Sequence, residues 1–222
     1  MINSFIHFRS QAVRIALLVC SLWLACQSSP LAGDDSSAIP QLNSERIAER
    51  YGSYGVRVLE QMGSMRVASL YSLEDGAEVC RTLAVTEFVE PVPAALTGEF
   101  AEIAGGASIG STLKAAGWEV EKRHGLITSM EAGGQFRRLA GLPPAGDGPR
   151  VAVHLYELWA VKDAQEFRLA AIAEAHHPDY LDLHGLRALD PAAAAPGTGA
   201  EFRYLRLLVS LSAALDGEAQ SR

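Results

Sequence analysis

The sequence predicts an α+β fold, built on a mostly antiparallel sheet as two αβββ repeats with a helix at the C-terminus. Three observations lead there. Apolar stretches of strand length recur between residues 56 and 175. They are joined by short turns, not by the helical crossovers that a parallel sheet requires. The order of elements in 44–91 also returns in 108–178.

The first repeat opens with a short helix after Ser44, from Glu45 to Tyr51, and continues through strands at Val56 to Leu59, Arg66 to Leu73 and Glu78 to Val89. A crossover helix is expected from Ala94 to Ala104. The second repeat has a helix from Ser111 to Ala116 and strands at Trp118 to Arg123, Arg150 to Val161 and Gln165 to Ala175. In each repeat a short charged turn joins the last two strands, Glu74-Asp75-Gly76 in one and Lys162-Asp163 in the other. Aligning Pro91 with Pro178 sets Arg81 on Arg168, Ala84 on Ala171 and Glu87 on Glu174. The glycines and prolines of 135–149 read as an inserted loop.

One domain is expected over 44–190, followed by an Ala/Pro/Gly linker over 191–200. The helix over 201–215 carries Tyr204, Leu205, Leu207, Leu208, Val209 and Leu211 around most of its circumference. Such a helix wants burial, by default against its own domain and otherwise in a partner or at a membrane face.

Ahead of the domain, Arg9 and Arg14 precede an apolar run from Ile15 to Ala25, about half of the ~20 residues a membrane-spanning helix needs. Residues 1–25 therefore read as a signal peptide, and 26–43, rich in Ser, Pro and Asp, as a flexible tether. Leu24, Ala25 and Cys26 resemble the lipobox of bacterial lipoproteins, with Trp23 where that family has an aliphatic residue. The resemblance covers the leader and tether only. It implies a cut before Cys26, a lipid on that cysteine and, from Gln27 after it, the periplasmic side of the outer membrane. The alternative is a cut after Ala32, giving a soluble periplasmic or secreted protein.

The formal charge of the whole chain is -7, and losing the two leader arginines takes it to about -9. An acidic domain repels phosphate backbones, so nucleic acid is not an expected partner. Of three cysteines only Cys80 would remain free in the mature domain, which leaves no internal disulfide to form.

Four patterns hold chemistry-bearing residues. Gly106, Ser108 and Gly110 satisfy the G-x-S-x-G of a nucleophile elbow, with histidines and acids downstream. The competing reading makes Ser108 the N-cap of the next helix. The same stretch also spaces like a phosphate-binding loop, but Ser111 stands where that loop needs lysine. His176, His177 and Asp179 form a dense polar cluster around Pro178, expected as solvated histidines at a strand end, since neighbours on a strand point to opposite faces. Arg81 with Glu87, and Arg168 with Glu174 and His176, should each share a strand face and could converge on a cleft between the repeats. Finally, Glu157 shares a face with Val153 and Leu155, so it either opens that face to water or lines a pocket.

These patterns call for no metal and no cofactor. The expectation is an exported, lipid-anchored envelope protein whose domain binds a small ligand or an envelope partner without catalysis. The alternative is an envelope serine hydrolase using Ser108 and a downstream histidine.

Overall fold

A computed structural model of the chain describes residues 41–144 and 149–217. The leader, Cys26 and most of the tether lie outside the described residues. The domain is α+β: six antiparallel strands in the order β1-β2-β3-β6-β5-β4, with helices on both faces and one at the C-terminus. In chain order the elements are α1 (Asn43–Tyr51), β1 (Gly55–Met62), β2 (Met65–Glu74), β3 (Ala77–Phe88), a 3-10 turn (Ala94–Leu96) leading into α2 (Thr97–Ala104), α3 (Ile109–Ala115), β4 (Glu119–Glu131), α4 (Gly134–Ala140), β5 (Arg150–Lys162), β6 (Gln165–His176), α5 (Leu183–Leu189), and a second 3-10 turn (Ala200–Tyr204) before α6 (Leu205–Asp216).

Tight turns set the hairpins. Glu74 pairs with Ala77 and Lys162 with Gln165, so each loop has two residues. Asp75 and Gly76 sit at φ 51° and 83°, and Asp163 and Ala164 at φ 50° and 63°. Two consecutive positive φ values match the right-handed twist of the flanking strands. β3 and β6 then pair at the centre, with Val85 opposite Ala173. Superposing the two turns sets Asp75 on Asp163 and Thr86 on Glu174, one residue away from the alignment of Pro91 with Pro178. Because side chains alternate, that single residue exchanges the faces. Glu87 points to α6, while Glu174 faces α1.

The core has two layers. On one face Leu83, Val85, Leu155 and Ala173 pack against Phe136 of α4 and Leu207, Leu211 and Leu215 of α6, all buried. On the other, Val120, Tyr156, Leu158 and Ile172 pack against Leu96, Ile103 and Leu113 from the α2–α3 region. α6 thus lies on its own sheet, leaving Phe202, Leu205 and Val209 exposed.

Four elements differ from the sequence expectation. β4 runs on to Glu131 because a bulge at His124 and Gly125, with His124 at φ 57°, restarts the alternation that the charged run 121–124 interrupts. The expected loop 135–149 contains α4, whose Phe136 and Ala140 are buried. α5 was not expected; the Asp182 carboxylate caps it by accepting the Gly185 N–H at 2.7 Å. The expected linker is packed in part: Ala194 donates to the Gly125 carbonyl at 2.7 Å and accepts from Ile127 at 3.0 Å, which covers part of the β4 edge.

Candidate functional site

A cavity of about 80 Å³ lies between the sheet and the N-terminal parts of α1 and α3. Its polar lining comes from separate elements: Tyr54 before β1, Arg66 on β2, Ser108 before α3, Lys122 on β4, and Tyr156 and Glu174 on β5 and β6. Arg66 pairs with Thr86 across the β2–β3 ladder and Glu174 pairs with both Ala84 and His154, so these residues project from one face.

Arg66 is only 3% exposed. Its Nη1 donates to the carbonyls of Ile103 and Ala107, both at 3.0 Å, which ties β2 to the α2–α3 connection. Among the described residues no carboxylate forms an ion pair with it. Burial lowers its pKa. Tyr54 donates to Ser108 Oγ at 3.2 Å, and burial raises the pKa of that phenol.

Glu174 is the centre of a second cluster. Its Oε1 accepts from Asn43 Nδ2 at 3.2 Å, and its Oε2 lies 3.6 Å from Lys122 Nζ with no hydrogen-bond donor. Burial opposes ionisation of this carboxyl, but the Lys122 charge outweighs it with help from neighbouring groups, and the pKa falls to about 2. Lys122 itself is lowered by burial, with Glu174 opposing, and its ammonium lies 4.1 Å from the Tyr156 ring centroid. Burial, then the charge of Glu174, keeps the Tyr156 hydroxyl protonated.

His176 shares that face, two residues on. Thr82 Oγ1 accepts from Asn43 Nδ2 at 3.1 Å and lies 3.0 Å from His176 Nδ1. Nε2 is buried without a partner. Burial brings the His176 pKa down to about 3, so the ring is neutral. Beyond the cluster, His154 Nε2 meets Asp190 Oδ2 at 3.0 Å.

The residues singled out in the sequence are brought together only in part. Ser108 takes the N-cap position of α3, but its hydroxyl accepts from Tyr54 and caps no helix N–H. It stands between two helices, where an elbow needs a strand before the turn, and no histidine is among its hydrogen-bond partners in the described residues. His176 and His177 do point to opposite faces, yet both are buried and not solvated, because the chain turns back over them. His177 faces the Ala140 carbonyl through Nε2 at 3.2 Å and accepts the Asp179 N–H on Nδ1 at 3.0 Å.

Arg81 and Glu87 do not form a common site. Register places Tyr71 opposite Cys80 and Leu70 opposite Thr82, which leaves Arg81 at a bulge, over the Tyr51 ring at 3.8 Å and paired with Glu74. Glu87 instead meets Arg206 at 2.7 Å. A bulge at Leu169 likewise parts Arg168 from Glu174 and His176. Arg168 turns to Glu157 at 3.5 Å, where Arg203 at 3.7 Å and the Trp159 indole N–H at 3.3 Å also converge. Glu157 is thus a buried carboxylate held by partners on the α6 side.

Sequence reasoning missed Arg66, Lys122, Tyr54 and His154. A signal for Arg66 was present: it heads the same-face series Arg66, Ala68, Leu70, the pattern that drew attention to Glu157. Among the described residues no group of three or more His, Cys, Asp or Glu could hold a metal ion, and no helix is long and apolar enough to cross a membrane. Cys80 is free and buried, its thiol pushed up to about 11 by burial.

No known protein family matches the sequence, and no curated protein matches it. Among solved structures, the chain is similar to the C-terminal domain of PhnF, at 11% identity over 64% of this chain and 79% of that one, with a TM-score of 0.38. It is also similar to the C-terminal domain of Yurk from Bacillus subtilis subsp. subtilis str. 168, at 20% identity over 64% and 84% of the two chains, with a TM-score of 0.32.

Proposed function

We propose that this domain is a binding module for a small organic ligand, held in the cavity between the sheet, α1 and α3. One observation carries the reading. The cavity is lined by a buried cation whose bonding capacity the protein leaves incomplete: Arg66 has two neutral carbonyls as its partners and lacks a counter-ion among the described residues. Buried polar atoms are nearly always satisfied, and each exception costs about 1–3 kcal/mol or more when charged. A ligand that supplies the missing partners recovers that cost on binding.

The protonation states of Glu174 and of neighbouring His176 favour binding over proton transfer by these two groups. A general acid or base works best with a pKa near the working pH. Glu174 at about 2 and His176 at about 3 both lie far below neutrality, so each keeps one form there. The hydrolase alternative rests on Ser108, whose hydroxyl is bonded to Tyr54.

Filling the cavity tests the reading. Ala84→Leu places a larger apolar side chain among the lining residues. Small polar acids titrated into the full chain should shift the resonances of Tyr54 and Ser108 saturably, and Ala84→Leu should abolish the shift while remaining folded. Equal shifts in both proteins would place binding elsewhere. Labelling by a fluorophosphonate that vanishes in Ser108→Ala would instead establish the hydrolase. We also propose that the module is exported and anchored through a lipid on Cys26, a reading supported by the leader sequence alone; palmitate incorporation that survives Cys26→Ser would remove it.

A further inference from the structure

We infer that the cavity takes a short aliphatic monocarboxylate, its carboxylate held in a fork by Nε and Nη2 of Arg66 and its hydrocarbon end lying on the sheet. This inference rests on the binding reading above and adds the class of ligand.

The free edge of Arg66 selects the head group. A guanidinium carries its five N–H donors in a fixed plane. Nη1 uses its two on the carbonyls of Ile103 and Ala107, both at 3.0 Å, which sets that plane against the α2–α3 connection. Nε and Nη2 have no partner among the described residues, and neither is sealed off from the cavity that Arg66 lines. The Nε hydrogen and the nearer Nη2 hydrogen point the same way. A carboxylate accepts both at once through two oxygens in one plane, whereas a halide accepts at a single centre.

Hydroxyl groups stand on the same lining. Thr86 is opposite Arg66 in the β2–β3 ladder, so its side chain rises from the same wall of the cavity. Ser108 follows the Ala107 carbonyl that Arg66 holds; it accepts from Tyr54 at 3.2 Å and keeps its own proton for an acceptor. Around Arg66 the cavity therefore offers donors, and an amine or ammonium finds no place there.

Charge limits the head group to one. Lys122 and Glu174 lie 3.6 Å apart and offset each other, so Arg66 is the cation of the lining left without a carboxylate among the described residues. One negative charge balances it. A second would meet the ionised Glu174 in the same small space, which disfavours dicarboxylates and phosphate.

Lining and volume select the tail. Ala68, Leu70, Ala84, Val120, Leu158 and Ile172 present hydrocarbon and suit methylene groups. The volume of about 80 Å³ is roughly half of the ~150 Å³ cavity that holds a benzene ring, which limits the ligand to a few carbons.

The test is a calorimetric and NMR titration of the full chain with butyrate, butyramide, succinate, octanoate and inorganic phosphate. Butyrate should bind saturably and move the Arg66 Nε–H resonance downfield. Butyramide, alike in shape but uncharged, should bind about tenfold more weakly or undetectably, as should succinate, octanoate and phosphate. Arg66→Lys keeps the charge and loses the fork, and should weaken butyrate about tenfold. If that variant fails to fold, the ligand series and the Nε–H shift on the natural chain decide alone. Butyramide, succinate, octanoate or phosphate binding at least as well as butyrate, with loss of binding in Ala84→Leu, overturns the ligand class and leaves the cavity as the site. Butyrate binding that leaves the Nε–H resonance unmoved, or that is equal in a folded Arg66→Lys, overturns the fork. Unchanged binding of butyrate to Ala84→Leu overturns the cavity reading itself. No binding by any of the five overturns the inference.

Discussion

Odd-numbered positions on the central strands β3 and β6, Leu83, Val85, Ala173 and Ala175, meet α4 and α6 in hydrocarbon. Even-numbered positions on the same strands carry Thr82, Thr86, Glu174 and His176 toward α1 and α3, and Arg66, Lys122 and His154 join them from neighbouring strands. Both faces exclude water, yet they stand differently with respect to stability. The α6 face gains free energy for every methylene it buries. The α1–α3 face removes charges from water, which costs several kcal/mol per ion before pairing offsets it. Its charges add no net stability on their own account, which is the property that the proposed binding role would use.

The comparison is tested most severely by parting the charges. Lys122→Met leaves Glu174 buried without its cation and should destabilise the domain by about 3–5 kcal/mol in urea unfolding. The double variant Lys122→Met with Glu174→Leu should recover most of that loss or exceed the natural stability. A double variant as unstable as the single one would mean that the polar face holds the fold together. On the dry face Leu211→Ala, at a fully buried position, should cost about 3 kcal/mol and leave ligand affinity unchanged at temperatures where the variant is folded.

Acid acts most strongly on the polar face, with His177 beside α4 also lowered by burial. His176 is neutral in the folded state with its pKa at about 3, whereas the unfolded chain takes up that proton near 6.5. Its contribution is fully present above the unfolded value and is lost as pH falls toward 3. Glu174, held at about 2, contributes above the ordinary carboxylate range and is lost as pH falls through that lower window. Urea midpoints should therefore decline between about pH 6.5 and 3, and His176→Gln should flatten the upper part of that decline. A midpoint independent of pH over this range would contradict the buried neutral ring.

The smallest expected effect lies away from both faces. Ala164 sits at φ 63° in the β5–β6 turn, where the equivalent residue of the β2–β3 turn is Gly76. Ala164→Gly should stabilise the domain by about 1 kcal/mol, because the left-handed conformation strains an alanine. Any larger change would show that the turn is coupled to one of the faces.

Much of the fold was legible before any coordinates. The strand alternation, the charged turns and the first helix are local properties, and apart from the far end of β4 those elements appear within a few residues of their expected bounds. α4 and α5, at seven residues each, were not legible, because helices so short are held by packing and capping and not by their own propensity. The candidate site was legible only as fragments. Glu174 and His176 were picked out, but with Arg168 as their companion and without Arg66 or Lys122.

What the chain determined by itself was the kind of pieces and their joints: strands of period two, two-residue turns that demand antiparallel neighbours, and a last helix too apolar to stand free. What only the tertiary structure decided was which charges meet. Side-chain direction reverses at each bulge, at Leu59, Arg81, Leu169 and His124–Gly125, and a bulge is defined by the pairing of two strands and not by either sequence alone. Arg66, Lys122 and Glu174 lie far apart along the chain and share a cavity because sheet order and register bring β2, β4 and β6 to one face.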